Sequence, residues 1–116
     1  MELEQRQKAK RLLGSLMGYQ AQFELMCIAV SAGGTRVAAS EELPALYREY
    51  IALVPSGGAR FVDLIVAHRE VIRTLCRIRE DRRLAAASLG TALREQRARH
   101  AAAVNRLGEE VRPLVA

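Results

Sequence analysis

Tryptophan is absent from the chain, and phenylalanine and tyrosine together make up only 4% of it, so the core has to be built from aliphatic side chains. Proline is almost as scarce: Pro44, Pro55 and Pro113 are the only three, and none falls between Ala59 and Leu107. That stretch of 49 residues holds one glycine, Gly90, so the residues that most reliably end a helix are nearly missing from it. The two cysteines, Cys27 and Cys76, are far apart and form no C-x-x-C pair. Each sits among apolar residues, as buried thiols in a reducing compartment do. The two histidines, His68 and His100, have no Glu, Asp or Cys three or four residues away, which excludes the usual helical zinc and di-iron ligand spacings. His68 lies on an apolar stripe and is expected to be a satisfied core residue. Gly33-Gly34 and Gly57-Gly58 lack the patterns of phosphate-cradling and dinucleotide-binding loops. With no catalytic motif, metal pattern or cofactor motif, the chain reads as non-enzymatic.

Long hydrophobic runs are missing too. The apolar segment that follows the N-terminus is interrupted by Gln20, Gln22 and Glu24, so it is not a membrane span. The opening MELEQRQKAKR carries both signs of charge, unlike a signal peptide. The expected compartment is the cytoplasm.

What the chain has in quantity is alanine, 19 residues of 116, the strongest helix former. The expected fold class is all-α: an antiparallel three- or four-helix bundle with one long C-terminal helix. Its length fits one domain, placed over residues 1–108, with 109–116 as a mobile tail. In the first segment Ala9, Leu12, Leu16, Tyr19, Phe23, Met26 and Val30 recur at alternating three- and four-residue spacing, the seam of a helix. From Leu25 to Val30 that helix is apolar nearly all round, which implies burial from several sides or a partner. Gly14 and Gly18, four apart, either mark the close approach of another helix or are incidental. Ser31 to Thr35 supplies the stop, with Gly33 or Gly34 suited to the left-handed cap. Ser40 is expected to cap a second helix with Glu41 and Glu42 in its first turn, ended by Pro55 to Gly58. Tyr47 and Tyr50 are expected at the edge of the core.

Beyond it, Phe61, Leu64, Ile65, His68, Val71, Ile72, Leu75 and Ile78 form a continuous stripe. It runs into six charged residues in seven, Arg77-Ile-Arg-Glu-Asp-Arg-Arg83. Either the helix continues through an exposed waist or the chain turns there into a hairpin. Without glycine or proline to make the turn, a continuous helix over 59–107 is the preferred expectation. Past Leu84, Leu89, Ala92 and Leu93, the stripe thins to alanines with Val104 and Leu107.

Net charge is +5, but the halves differ: Met1 to Gly58 sums to zero and Arg60 to Arg106 carries 11 arginines against five acids. Such a basic segment, with Arg77, Arg79, Arg82 and Arg83 as its face, suits an anionic partner. Equally, 16 arginines against two lysines beside abundant alanine match a GC-rich codon bias, and a charge run is most simply a solvated face. A basic helical nucleic-acid-binding protein is therefore the alternative function, although stacking aromatics are lacking: Phe61 is the only one from residue 60 onward.

The stretch LIVAHREVIRTL from Leu64 to Leu75, followed by Leu84, Leu89-Gly90 and a basic helix, resembles the long helix of the FliT-like flagellar export chaperones. Leu13 to Ala32 is similar to that family's opening helix. The resemblance implies a small bacterial helical bundle that holds an export client in the cytoplasm and delivers it to a type III secretion apparatus. Reach points the same way. Helices of roughly 30 and 15 residues, about 45 and 22 Å, cannot cover one of about 70 Å, so its remainder must bend back, dimerise or bind something. The expected partner is a protein, an export client or a second copy, held on Leu89, Leu93, Val104 and Leu107.

Overall fold

The computed structural model of the chain describes residues 2–86 and 88–116, and among these there is no strand. Four helices follow in order: α1 (Glu2–Ser31), α2 (Leu43–Leu53), α3 (Gly58–Glu80) and α4 (Ser88–Val111). The all-α expectation holds. Short 3₁₀ turns follow α3 at Arg82–Ala86 and α4 at Arg112–Leu114.

α1 buries Ala9, Leu12, Leu16, Tyr19, Phe23, Cys27 and Val30. The expected seam is followed except at one place, where Cys27 rather than Met26 turns inward. A straight helix has 3.6 residues per turn, so a strict heptad drifts about 20° each repeat, and by the third the next residue faces the core better. Its end is the expected glycine cap. Gly33 has φ +114°, the Gly34 N–H reaches Ala29 O at 2.8 Å and the Gly33 N–H reaches Val30 O at 3.1 Å. These paired bonds satisfy carbonyls that the last helical turn leaves unpaired.

α2 starts later than expected. The Ser40 hydroxyl accepts a bond from the Glu42 N–H at 3.2 Å, and the helix opens at Leu43 with Pro44 in its first turn. Residues 34–42 thus run as irregular chain beside the upper half of α1. At the other end of α2 the ring of Tyr50 lies against Gly57, where a Cβ would collide with its hydroxyl.

The continuous helix expected over 59–107 is instead a hairpin. α3 stops at Glu80, Asp81 is extended (φ −141°, ψ 101°), and α4 begins at Ser88. Cross-pairs fix the direction: Asp63 with Arg106, His68 near His100, and Glu70 with Arg99 are the contacts of antiparallel helices. The turn is made by charge, not by glycine. The Asp81 carboxylate accepts bonds from the Arg83 N–H at 3.1 Å and from its guanidinium at 3.2 Å, which holds it below the usual carboxylate range. Aspartate bonding to the backbone two residues on is a turn signal in its own right.

The tail is also docked rather than mobile. α4 runs through Gly108 to Val111, which is wholly buried, and Leu114 and Val115 pack on the core. Glu110 accepts a bond from the Tyr50 hydroxyl at 2.8 Å and pairs with Arg60. Both thiols are unpaired, and burial pushes Cys27 up to about 11.

Candidate functional site

Two apolar clusters fill the interior. A lower one holds Leu12, Leu16, Tyr50, Phe61, Leu64 and Leu107, and an upper one holds Phe23, Cys27, Val71, Leu75, Ile78, Leu89 and Leu93. Between them lies a polar layer that brings together the two histidines the sequence sets 32 residues apart. The Tyr19 oxygen is 2.7 Å from His68 Nδ1 and 2.8 Å from His100 Nε2. The Ser40 N–H donates to His68 Nε2 at 3.3 Å. That bond makes Nε2 the acceptor, so His68 Nδ1 carries its proton and donates to Tyr19. The Tyr19 hydroxyl then donates to His100 Nε2, and the remaining His100 Nδ1 is buried with no partner among the described residues. Phe23 stacks on His100 with ring centroids 3.9 Å apart.

All three groups are neutral in this arrangement, and their surroundings keep them so. Burial lowers His68 and, with help from neighbouring His68, brings His100 down to about 4. Burial, then Glu42, pushes Tyr19 well above its ordinary value. His68 is the satisfied core histidine expected; His100 was not recognised as core. It occupies the step between Leu93 and Val104 where the α4 stripe looked thin, and it is fully buried. The seven-residue step from Leu93 to His100, followed by steps of four and three to Val104 and Leu107, is the signal available once histidine is counted as a core residue.

The residues expected to hold a partner are elsewhere than expected. Leu89, Leu93, Val104 and Leu107 are 8%, 5%, 6% and 0% exposed, so they belong to the chain's own core and present no surface to a partner. The reason is the hairpin: once α4 folds back on α3, the overhang that left these side chains without company no longer exists.

The basic face is partly structural. Arg82 donates through both terminal nitrogens, to Val30 O and to Gly34 O, closing off the end of α1, which has no basic residue in its own last turn. Arg79 reaches Thr35 O at 3.5 Å, and Arg83 is engaged with Asp81. Arg77 is exposed on the last turn of α3.

What the structure does leave open is the far side of α1. Gly14, Met17, Gly18, Ala21, Leu25 and Ile28 share one face, opposite the buried stripe, and all are exposed. Met17, Leu25 and Ile28 keep 64%, 60% and 55% of their surface in water. Nothing lies within 4 Å of a Cβ placed on Gly14 or Gly18, so no helix of this chain approaches there. The only charge on α1 beyond Arg11 is Glu24, and its carboxylate is drawn sideways to Arg97. Beside this face runs a groove of about 660 Å³ between α1 and the irregular chain, lined by Phe23, Leu25, Met26 and Ala29, with Arg36, Glu41 and Glu42 at its rim.

Among the described residues no helix is long and apolar enough to cross a membrane, and no cluster of three or more His, Cys, Asp or Glu side chains is placed to hold a metal. Searched against protein-family models, curated proteins and solved structures, the chain matches none.

Proposed function

We propose that this chain is a non-enzymatic helical adaptor that acts in the cytoplasm and binds a partner protein on the outer face of α1. One observation carries the reading: α1 is apolar on two opposite sides, and the fold covers only one. Burying a side chain such as Leu25 or Ile28 is worth about 1.5–3 kcal/mol, so an uncharged face with three of them exposed and small residues between favours a covering helix. A bundle presenting a helix to a helical partner is also the form that the likeness to export chaperones gives this function, with the contact moved from α4 to α1. Of the four arginines that would carry nucleic-acid binding, Arg79 and Arg82 are turned to carbonyls of residues 30–35 and Arg83 to Asp81, while Arg77 is exposed, so that reading draws little support from their placement.

The test is a photo-crosslinking residue placed at Ala21 or Leu25 and, as control, at the exposed Arg69 of α3. In the native cytoplasm, protein adducts are expected at the first two positions and lost when Ile28→Asp is added. Equal labelling at Arg69, or adducts that survive Ile28→Asp, would refute the proposal.

A further inference from the structure

We infer that the irregular chain of residues 34–42 is a latch that opens in acid, released when His68 takes a proton on Nε2. Nothing in this depends on what the outer face of α1 binds. Arg82 and Arg79 grip the first carbonyls of the segment, Gly34 O and Thr35 O, and Val37 packs on the upper cluster. From Thr35 to Glu41, Ser40 is the only residue among those described whose N–H has a partner within the chain, and that partner is His68 Nε2 at 3.3 Å. The far half of the segment is therefore fastened to α3 by one hydrogen bond, and its acceptor titrates.

The order of the bonds decides what a proton does. His68 Nδ1 donates to Tyr19, so Nε2 holds the lone pair and is the one place where His68 can gain a proton. Two N–H donors then face each other across the Ser40 contact, while the bond to Tyr19 survives. A proton on His100 Nε2 meets a worse arrangement. The Tyr19 oxygen would have to accept from both rings, and its own hydrogen would lose its partner. There the neighbour is a helix locked in the core; at His68 Nε2 it is a segment without regular structure, which can move away.

The groups around His68 leave this contact as the one to give way. α1 presents Tyr19 and Phe23, and α4 presents the neutral His100. α2 turns Tyr47 to Phe61 and Tyr50 to Glu110. On α3 itself Arg69 is exposed and Glu70 is turned to Arg99. On the segment Arg36, Glu41 and Glu42 line the groove; the two carboxylates favour a proton at this end of the polar layer, and Arg36 opposes it. Burial in the closed form holds His68 below its ordinary 6.5. Opening returns the ring to water, so the open form binds the proton more tightly, and opening is favoured as pH falls from 6.5 towards the closed-form value. His100 stays buried between α1 and α4, so its proton is taken up only on unfolding. Release of the segment removes one wall of the groove, at Ala38 and Ser40, from beside Tyr19 and Phe23, which are 2% and 3% exposed when it is closed.

Amide exchange of the intact chain, corrected for the pH dependence of the chemical step, tests the latch. Protection of the Ser40 N–H should fall by up to about tenfold for each pH unit below 6.5, the signature of one proton taken up. Low urea should speed exchange at Val71, which opens with the whole fold, and leave Ser40 almost unchanged. His68→Gln should abolish the pH dependence at Ser40, whatever level of protection it leaves. Nitrogen chemical shifts should find neutral His68 with its proton on Nδ1, a readout that needs no variant. Ser40 protection that is flat from about pH 7 to 5, urea dependence equal to that of Val71, a slope that survives His68→Gln, or a neutral His68 protonated on Nε2 would each overturn the inference.

Discussion

The two sides of α1 are close in composition and opposite in fate. The inner side carries Leu12, Leu16, Tyr19, Phe23 and Val30, each 3% exposed or less, while the outer side carries Met17, Leu25 and Ile28, each more than half exposed. Hydrophobicity alone does not distinguish them; what does is which side the α3–α4 hairpin reaches. The hairpin takes the inner side because there the side chains are large along the whole length of the helix, whereas the outer side is interrupted by Gly14, Gly18 and Ala21. Opposite the upper half of α1 the second position in the bundle is filled only by the irregular chain of residues 34–42, which is too thin to wrap round to Leu25.

The comparison is tested most severely by replacing one leucine on each side. Leu16→Ala, on the inner side, should destabilise the fold by about 2–5 kcal/mol through lost burial and the cavity left behind, read from the urea midpoint at a dilution where the chain is monomeric. Acid should act almost as strongly on the inner side alone. His100 has its folded value near 4, below the ordinary 6.5, so its neutral form stabilises the fold fully above pH 6.5. As pH falls from 6.5 towards 4 the unfolded chain takes up the proton first, and about 3 kcal/mol should be lost over that window; His68, also lowered by burial, adds to it in the same direction. A thermal midpoint flat between pH 7 and 4 would contradict this. Tyr19→Phe should cost about 1–3 kcal/mol, because it leaves two buried imidazole nitrogens without their shared partner. Smallest of all, Leu25→Asp on the outer side should change monomer stability by no more than about 0.5 kcal/mol. A loss as large as that of Leu16→Ala would mean that the outer side is covered by its own chain after all.

Much of this arrangement was readable from residue spacing. The inner stripe of α1, the glycine cap at Gly33 and the buried face of α3 follow from apolar periodicity and from the conformations that glycine alone adopts freely. The hairpin does not follow from spacing, because residues 77–88 hold no glycine or proline and the turn is instead made by Asp81 bonding to Arg83. Misplacing it shifted everything downstream: with no overhang, Leu89, Leu93, Val104 and Leu107 became core, and the tail gained a surface to dock on through Tyr50 and Arg60. The polar layer was out of reach for another reason. Each histidine taken singly looks isolated in the sequence, and only the antiparallel return of α4 brings His100 to Tyr19. The outer face was legible in part, as the all-round apolar character of Leu25 to Val30 and the Gly14–Gly18 pair, but not which side of the helix would stay wet.

Arg82 ties the turn of the hairpin to the last carbonyls of α1, across 52 residues of chain. The final turn of the first helix therefore has only its local glycine cap at Gly33 until α3 and α4 have come together, and a loop of that length must close before the Arg82 bond can be added. The end of α1 should be less protected in any intermediate lacking the hairpin and gain protection with the docking step. Amide exchange around Val30 would then report assembly of the distant C-terminal half.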